Sequence, residues 1–321
     1  MSTLILIIVA FFIALSCGRI YIPPTEIVHA LFSPHSNPAT ANIIYNIRLP
    51  RIIAAVLIGA GLAMSGCAFQ SVFHNLLVSP DILGVSYGAA VGAASAILLG
   101  LGIWFTQLFA FICGIIAVSA TLLIARIIHQ RGTLIIVLAG IVVSGFMQAL
   151  IGLLKYIADP DSQLQSIVYW QLGSLAKVDI SSIIAVFPML AIGAVILIFF
   201  RWHLTILSLG DQNAQTIGIN VAFERLLIIG ASTLLTAATV CLSGNIGWVG
   251  LVIPHISRLL VGDNTRRTLP IAGLVGALFL LIVDTLARSL SAGEIPLSIL
   301  TGFIGAPLFI YILIKKKVRL N

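Results

Sequence analysis

The sequence predicts an all-α polytopic membrane protein built as a single domain over residues 1–321. Three observations carry that prediction. The chain is 60% hydrophobic and 8% charged, against roughly 25% charged residues in a soluble domain. Its mean hydropathy is +1.16. The basic residues sit at the ends of apolar runs, where flanking Lys and Arg belong in membrane proteins. The net charge of +7 therefore reflects span boundaries and not a nucleic-acid footprint.

A membrane-crossing helix needs about 20 apolar residues. Spans are expected at 3–18, 52–73, 82–103, 105–125, 133–155, 180–200, 226–243, 246–262, 269–288 and 295–314. The first, Leu4 to Cys17, is read as an uncleaved span, because no Lys or Arg precedes it and no small-x-small cleavage site follows. The uncharged stretch from Ile82 to Ala125 is too long for one crossing and is split at Gly100–Gly102. The stretch from Leu226 to Ser257 is split at Ser243-Gly244-Asn245, and the following span carries Pro254. Interrupted helices of this kind are tolerated where protein or a cavity covers the loosened backbone.

Ten spans place both termini on one side, and the Lys/Arg bias selects that side. With the N-terminus inside, the inner segments hold Arg126, Arg131, Arg201, Arg225, Arg258, Arg266, Arg267, Lys315, Lys316, Lys317 and Arg319. The outer segments hold Arg19, Arg48, Arg51, Lys155, Lys177 and Arg288. The majority of basic residues makes both termini cytoplasmic. Arg48 and Arg51, around the Leu49-Pro50 step, then lie outside, against the bias. That weakens a topological role and leaves lipid anchoring or a partner contact. Pro50 is expected to hold Leu49 extended and to begin the helix, so that both guanidiniums stand at its mouth.

Other features are sparse. Cys17, Cys67, Cys113 and Cys241 lie in apolar runs without metal-type spacing and read as packing thiols. Gly84, Gly88 and Gly92 form a GxxxGxxxG run that lets a neighbouring helix come close. Arg51–Gly66 and Arg225–Gly244 both begin with Arg and end in Ser-Gly, a faint echo running in opposite directions. The loop from Arg201 to Arg225 is too long for a turn, and "LSLGDQNAQTIGI" within it is expected to form short helices broken at Gly210 and Gly218. No Gly-Lys pair occurs, so a P-loop is excluded, and no HExxH occurs. No catalytic constellation and no metal site is expected. Of the ionisable residues read within the spans (His74, His255 and Asp284), only Asp284 is a candidate for ion coupling. Arg288, one turn on, makes a local ion pair the more economical role. No energy source is visible in the chain.

Five blocks, in order, then carry a resemblance. "IRLPR" (Ile47–Arg51), "HNLLVSPDILGVSYGAAVG" (His74–Gly92), "LSLGDQNAQTIGI", "GNIGWVGLVIPHISR" (Gly244–Arg258) and the final "DTLAR…EIPLSILTGFIGAPLFIYIL" resemble the permease subunits of the iron-chelate (FecCD) family of ABC importers, which includes the cobalamin permease. Leu76 stands where the family pattern has proline, and Trp248 where it has phenylalanine. The resemblance implies the type II importer permease fold, with ten helices and cytoplasmic termini. It implies a path formed with a second permease copy as a homodimer, two separate ATPase subunits that bind ATP and Mg, and an external substrate-binding protein. It implies that the chain itself needs no cofactor and is not an enzyme. Membrane lipid surrounds it, and the location implied is the bacterial cytoplasmic (inner) membrane. By the same resemblance, Arg48, Arg51 and Arg288 meet carboxylates of the binding protein. Ser208, Leu209, Gly210, Asp211, Ala214, Gln215 and Gly218 couple to the ATPase. Asn75, Leu77 and Thr133 form the cytoplasmic gate, and Val143, Ser144 and Gln148 line the path. The cargo implied is a metal chelate, a ferric siderophore or haem, with cobalamin or an oxyanion such as molybdate as the alternative. A secondary carrier working without ATP is the reading from a different class.

Overall fold

The computed structural model describes residues 2–32, 37–128, 133–291 and 293–318. Among these the elements are helical. They are α1 (Ser2–Ser16), α2 (Pro24–Phe32), α3 (Pro38–Asn42), a π-helical stretch (Ile43–Arg48), α4 (Leu49–Val72), a 3-10 turn (Pro80–Leu83), α5 (Val85–Leu98), α6 (Ile103–Ile127) and α7 (Thr133–Ile157). The chain continues through α8 (Gln163–Gln171), α9 (Ile180–Phe199), α10 (Arg201–Leu207), α11 (Asp211–Thr216), α12 (Val221–Ser243), α13 (Val249–Val261), α14 (Thr265–Ser289) and α15 (Leu297–Val318). Arg131 and Arg319, used in the charge count, lie outside the described residues.

Each of the ten expected apolar segments is a helix. Among the described residues, six helical segments are long and apolar enough to cross a membrane: Pro38–Val72, Ile103–Ile127, Thr133–Ile157, Ile180–Phe199, Val221–Ser243 and Thr265–Ser289. Four apolar helices are shorter, around α1, α5, α13 and α15. The shortening has local causes. The 3-10 turn at Pro80–Leu83 and the left-handed Gly84 (φ 85°) delay α5 until Val85. The break after Ser243 delays α13 until Val249.

At the centre, α4 packs against α12, α13 and α14. Small residues permit this. A Cβ on Gly59 would lie 2.3 Å from the Gly276 carbonyl oxygen, and one on Gly276 would lie 2.3 Å from that of Gly59. Close approach between backbones is how helices associate where lipid removes the hydrophobic drive. Ser65 Oγ donates to the Ser232 carbonyl at 2.9 Å and lies 2.7 Å from Thr236 Oγ1. With Gly61 against Thr239, these contacts make α4 and α12, the two echoing segments, antiparallel. The expected glycine run works in part: Gly88 and Gly92 seat α5 against the Cys113 and Phe109 carbonyls of α6, whereas Gly84 serves the preceding turn.

One expectation is corrected. Leu49 is helical (φ −59°, ψ −50°), not extended. The π-helical stretch runs straight into α4, so Pro50 lies inside a continuous helical segment, just past the wider π turn. Val143 and Ser144 of α7 are buried against the Gly84 turn, leaving Gln148 exposed among the three residues expected to line a path.

Candidate functional site

α4 defines two ends of the bundle, one at Arg51 and one at the loop after Val72 that contains Asn75. At the Arg51 end the three arginines read from the sequence are brought together, but inside. Arg48, Arg51 and Arg288 are 4%, 6% and 5% exposed. Arg48 donates to the carbonyls of Leu15 and Ile20. Arg288 Nη2 donates to the Ala14 carbonyl at 2.5 Å. Arg51 Nε donates to both Asp284 oxygens at 2.9 and 3.1 Å, and its Nη1 donates to Glu294 at 3.0 and 3.1 Å. Arg48 and Arg51 thus stand at the mouth of α4 as expected, with their guanidiniums turned into the protein. A buried guanidinium must be paired and hydrogen-bonded, and the carbonyls at the end of α1 and two carboxylates supply the acceptors. The sequence reading missed Glu294 and also the principal partner of Asp284. Arg288 Nε lies 3.7 Å from Asp284, farther than Arg51 does. Glu294 adopts positive φ (52°) to reach the cluster, and its side chain is 19% exposed.

At the Asn75 end, loop and short helices interlock. Asn75 and Leu77 are exposed, and Asn75 Oδ1 accepts the Leu77 N–H at 2.9 Å. His74, with φ 50°, places Nε2 2.5 Å from the Leu207 carbonyl at the end of α10. His255 Nε2 lies 2.9 Å from the Leu76 carbonyl. Thr133 begins α7, half-buried. The loop expected as a gate thus hangs on two histidines, one of which ties it to the segment expected to couple to an ATPase.

That segment has the expected shape. α10 ends at Leu207 and α11 spans Asp211–Thr216, with Gly210 (φ 107°) and Gly218 (φ 87°) at the breaks. Only residues without Cβ adopt such angles readily. Ala214 is buried and anchors α11, while Ser208 and Gln215 are exposed. Asp211 Oδ1 accepts from Arg225 Nη2 at 2.5 Å, pinning the segment to α12. Leu209 and Ile217 are 65% and 64% exposed, so the segment presents an apolar surface.

Between the ends, Ser243–Trp248 breaks the α12–α13 passage. Trp248 has φ 71° and packs against Gly302 and Gly305 of α15. A cavity of about 230 Å³ lies beside the break, lined by Leu62, Asp81, Trp248 and Gly250 among others. Gly84–Gly88 spells Gly-x-Ser-x-Gly, the spacing of a nucleophile elbow. Here no strand precedes it, and Ser86, 2% exposed, donates its hydroxyl to Asp81. The spacing is met in a helix start, not an elbow.

A bundle with six helical segments long and apolar enough to cross a membrane among the described residues, and with its interior charges paired, is that of a multi-pass membrane protein. Residues 6–315 match the FecCD transport family, and the chain belongs to it. It is 41% identical over 321 residues to the molybdate import system permease protein MolB of Haemophilus influenzae, covering 98% of this chain and 94% of that protein. It is 36% identical over 295 residues to the hemin transport system permease protein HmuU of Yersinia pestis, covering 89% and 87%. It is similar, with a TM-score of 0.90 and 38% identity over 98% of each chain, to a solved ABC transporter assigned to the metal-chelate type in an inward-facing conformation.

Proposed function

We propose that this chain is the permease subunit of a binding-protein-dependent ABC importer, forming with a second copy the path for a metal chelate such as a ferric siderophore or haem. The observation that carries the reading is the tie at the Asn75 end. The Ser208–Gly218 segment, with exposed Leu209 and Ile217, is held through Leu207 and His74 to the loop bearing Asn75 and Leu77. An ATPase closing on the segment would move that loop directly. In this reading the chain crosses the bacterial cytoplasmic membrane ten times with both termini inside. Two ATPase subunits dock at the Asn75 end and bind the ATP and Mg. The binding protein docks at the Arg51 end. Its carboxylates reach Arg51 by displacing Glu294, the most exposed member of that cluster, while Arg48 and Arg288 hold the lip in place. Gln148 is the remaining candidate for path lining.

A secondary carrier is less well supported. Asp284, the intramembrane carboxylate such a carrier would use, is held by Arg51 and Arg288 and is not poised to take up an ion. A second cargo, molybdate, is favoured by the 41% identity to a molybdate permease. The test is uptake into proteoliposomes holding the permease, its ATPase and its binding protein, with each component and ATP omitted in turn. Uptake of a ferric chelate or haem that requires all of them is expected. Molybdate uptake under the same requirement selects the second cargo, and uptake without ATPase or ATP refutes the importer.

A further inference from the structure

We propose that the large cavity at the Arg51 end, beside α8, is a binding site for an oxygen-rich small anion. The cavity measures about 780 Å³, within the roughly 300–1,000 Å³ of small-molecule sites. It lies between the Gly100–Ile103 turn, α8 and the last turn of α12. Four features of its wall favour hydrogen-bond acceptors carrying negative charge.

Gln107, on the wall, is 7% exposed. Its amide makes no hydrogen bond among the described residues, whereas buried amides ordinarily find partners. The 25-residue helix α6 begins at the cavity with Ile103 and has no side-chain cap. Its first backbone bond is from Thr106 N–H to the Gly102 carbonyl, so the earlier donors and the positive end of the helix dipole remain for a ligand. Lys177, on the rim, is exposed and has no ion-pair partner among the described residues. Finally, the wall contains no Asp or Glu. At the end of α12 the Ser243 carbonyl accepts the Ser174 N–H at 2.8 Å, and the Gly244 carbonyl accepts Ser243 Oγ at 3.1 Å. Among the described residues of the wall, Lys177 together with the absence of carboxylates sets the sign of the ligand. Gly100 and Gly102 have nothing within 4 Å of a Cβ position, which leaves the mouth open beside the helix start.

A carboxylate-bearing chelate would fill this volume. A bare tetrahedral oxyanion would occupy only the start of α6, with water in the remainder. Both share the chemistry the wall selects. The test uses the full chain in lipid nanodiscs, without ATPase, ATP or binding protein. Equilibrium dialysis measures radiolabelled ferric citrate, radiolabelled molybdate and, as a control, a tetraalkylammonium cation. Saturable binding of at least one anion and none of the cation is expected, and the anion that saturates identifies the ligand source. Lys177→Gln changes an exposed side chain and leaves the packing intact, and it should weaken binding about tenfold. Gln107→Leu, nearly isosteric, should weaken binding with the lysine still present. If neither anion saturates, or if Lys177→Gln leaves the affinity unchanged, the site does not exist. ATP-driven uptake by the Lys177→Gln chain is scored separately. Uptake with no anion binding by the native chain removes the site and leaves the importer standing, and anion binding with no uptake does the reverse.

Discussion

Arg51 shows how a single side chain joins distant parts of the sequence. Its guanidinium bridges α4 to Asp284 near the end of α14 and to Glu294 beyond it. These residues lie 233 and 243 positions away. Removing one partner of a buried pair strands the other, at a cost of about 3–5 kcal/mol, whereas replacing both with apolar residues is often neutral. Asp284→Asn should therefore lower the unfolding temperature in detergent sharply, and replacing the whole cluster (Arg51→Met, Asp284→Leu, Arg288→Met, Glu294→Leu), which leaves none of its charges stranded, should recover most of the loss. A quadruple variant as unstable as the single one would contradict that account. Glu294→Gln tests the docking reading. It loosens the partly exposed partner of buried Arg51, and binding-protein affinity at low salt should rise. Affinity that is unchanged there and also in Arg51→Glu would show that the arginines only hold the fold. Asp179 is a simpler case. It caps α9, accepting the Ser182 N–H at 2.9 Å and the hydroxyls of Ser181 and Ser182. The Ser181 hydroxyl first, then that of Ser182, holds its carboxyl below the usual carboxylate range. The cap is complete above the ordinary carboxylate pKa and is lost as pH falls through the lowered value. Asp179→Ala should cost about 1 kcal/mol at neutral pH, and thermal melts should show the difference vanishing in acid.

The elements were legible in the sequence wherever apolar length and breakers decided them. Gly100–Gly102 and Ser243–Gly244 split the long apolar runs where expected, and Gly210 and Gly218 bound a short helix as read. What escaped was set by distance. α7 packs Val143 and Ser144 on the Gly84 turn, a contact that no periodicity on α7 alone reveals. Leu49 stays helical because the chain enters α4 from a continuous helical lead. The arginines were found, but their burial depended on Glu294 and the α1 carbonyls, partners that only the fold supplies. The interface of α4 and α14 makes its own prediction. With a Cβ 2.3 Å from backbone at both Gly59 and Gly276, Gly276→Val must force the helices apart. It should reduce the yield of folded permease by far more than Gly145→Ala, where a Cβ meets nothing within 4 Å.

At the scale of the whole molecule, the bundle separates its tasks between its ends. The Arg51 end is locked by buried ion pairs and holds the donor-lined cavity. The Asn75 end carries two histidine-held loop contacts and the apolar Ser208–Gly218 segment. Two copies facing each other across a symmetry axis would bring the Leu77 loops together when the path is shut inside. Single cysteines at Leu77 in a chain lacking its own four cysteines should then crosslink in one nucleotide state and not in another. The coupling itself is tested most directly by measuring ATP hydrolysis and cargo uptake in the same reconstituted vesicles for Gly210→Val and for His74→Ala. Gly210 lies at φ 107° and His74 holds Leu207, so either change should loosen the tie without touching the path. The account predicts that vesicles which still bind the ATPase continue to hydrolyse ATP while uptake per ATP falls at least about tenfold. Uptake per ATP equal to that of the native chain in both variants would contradict it.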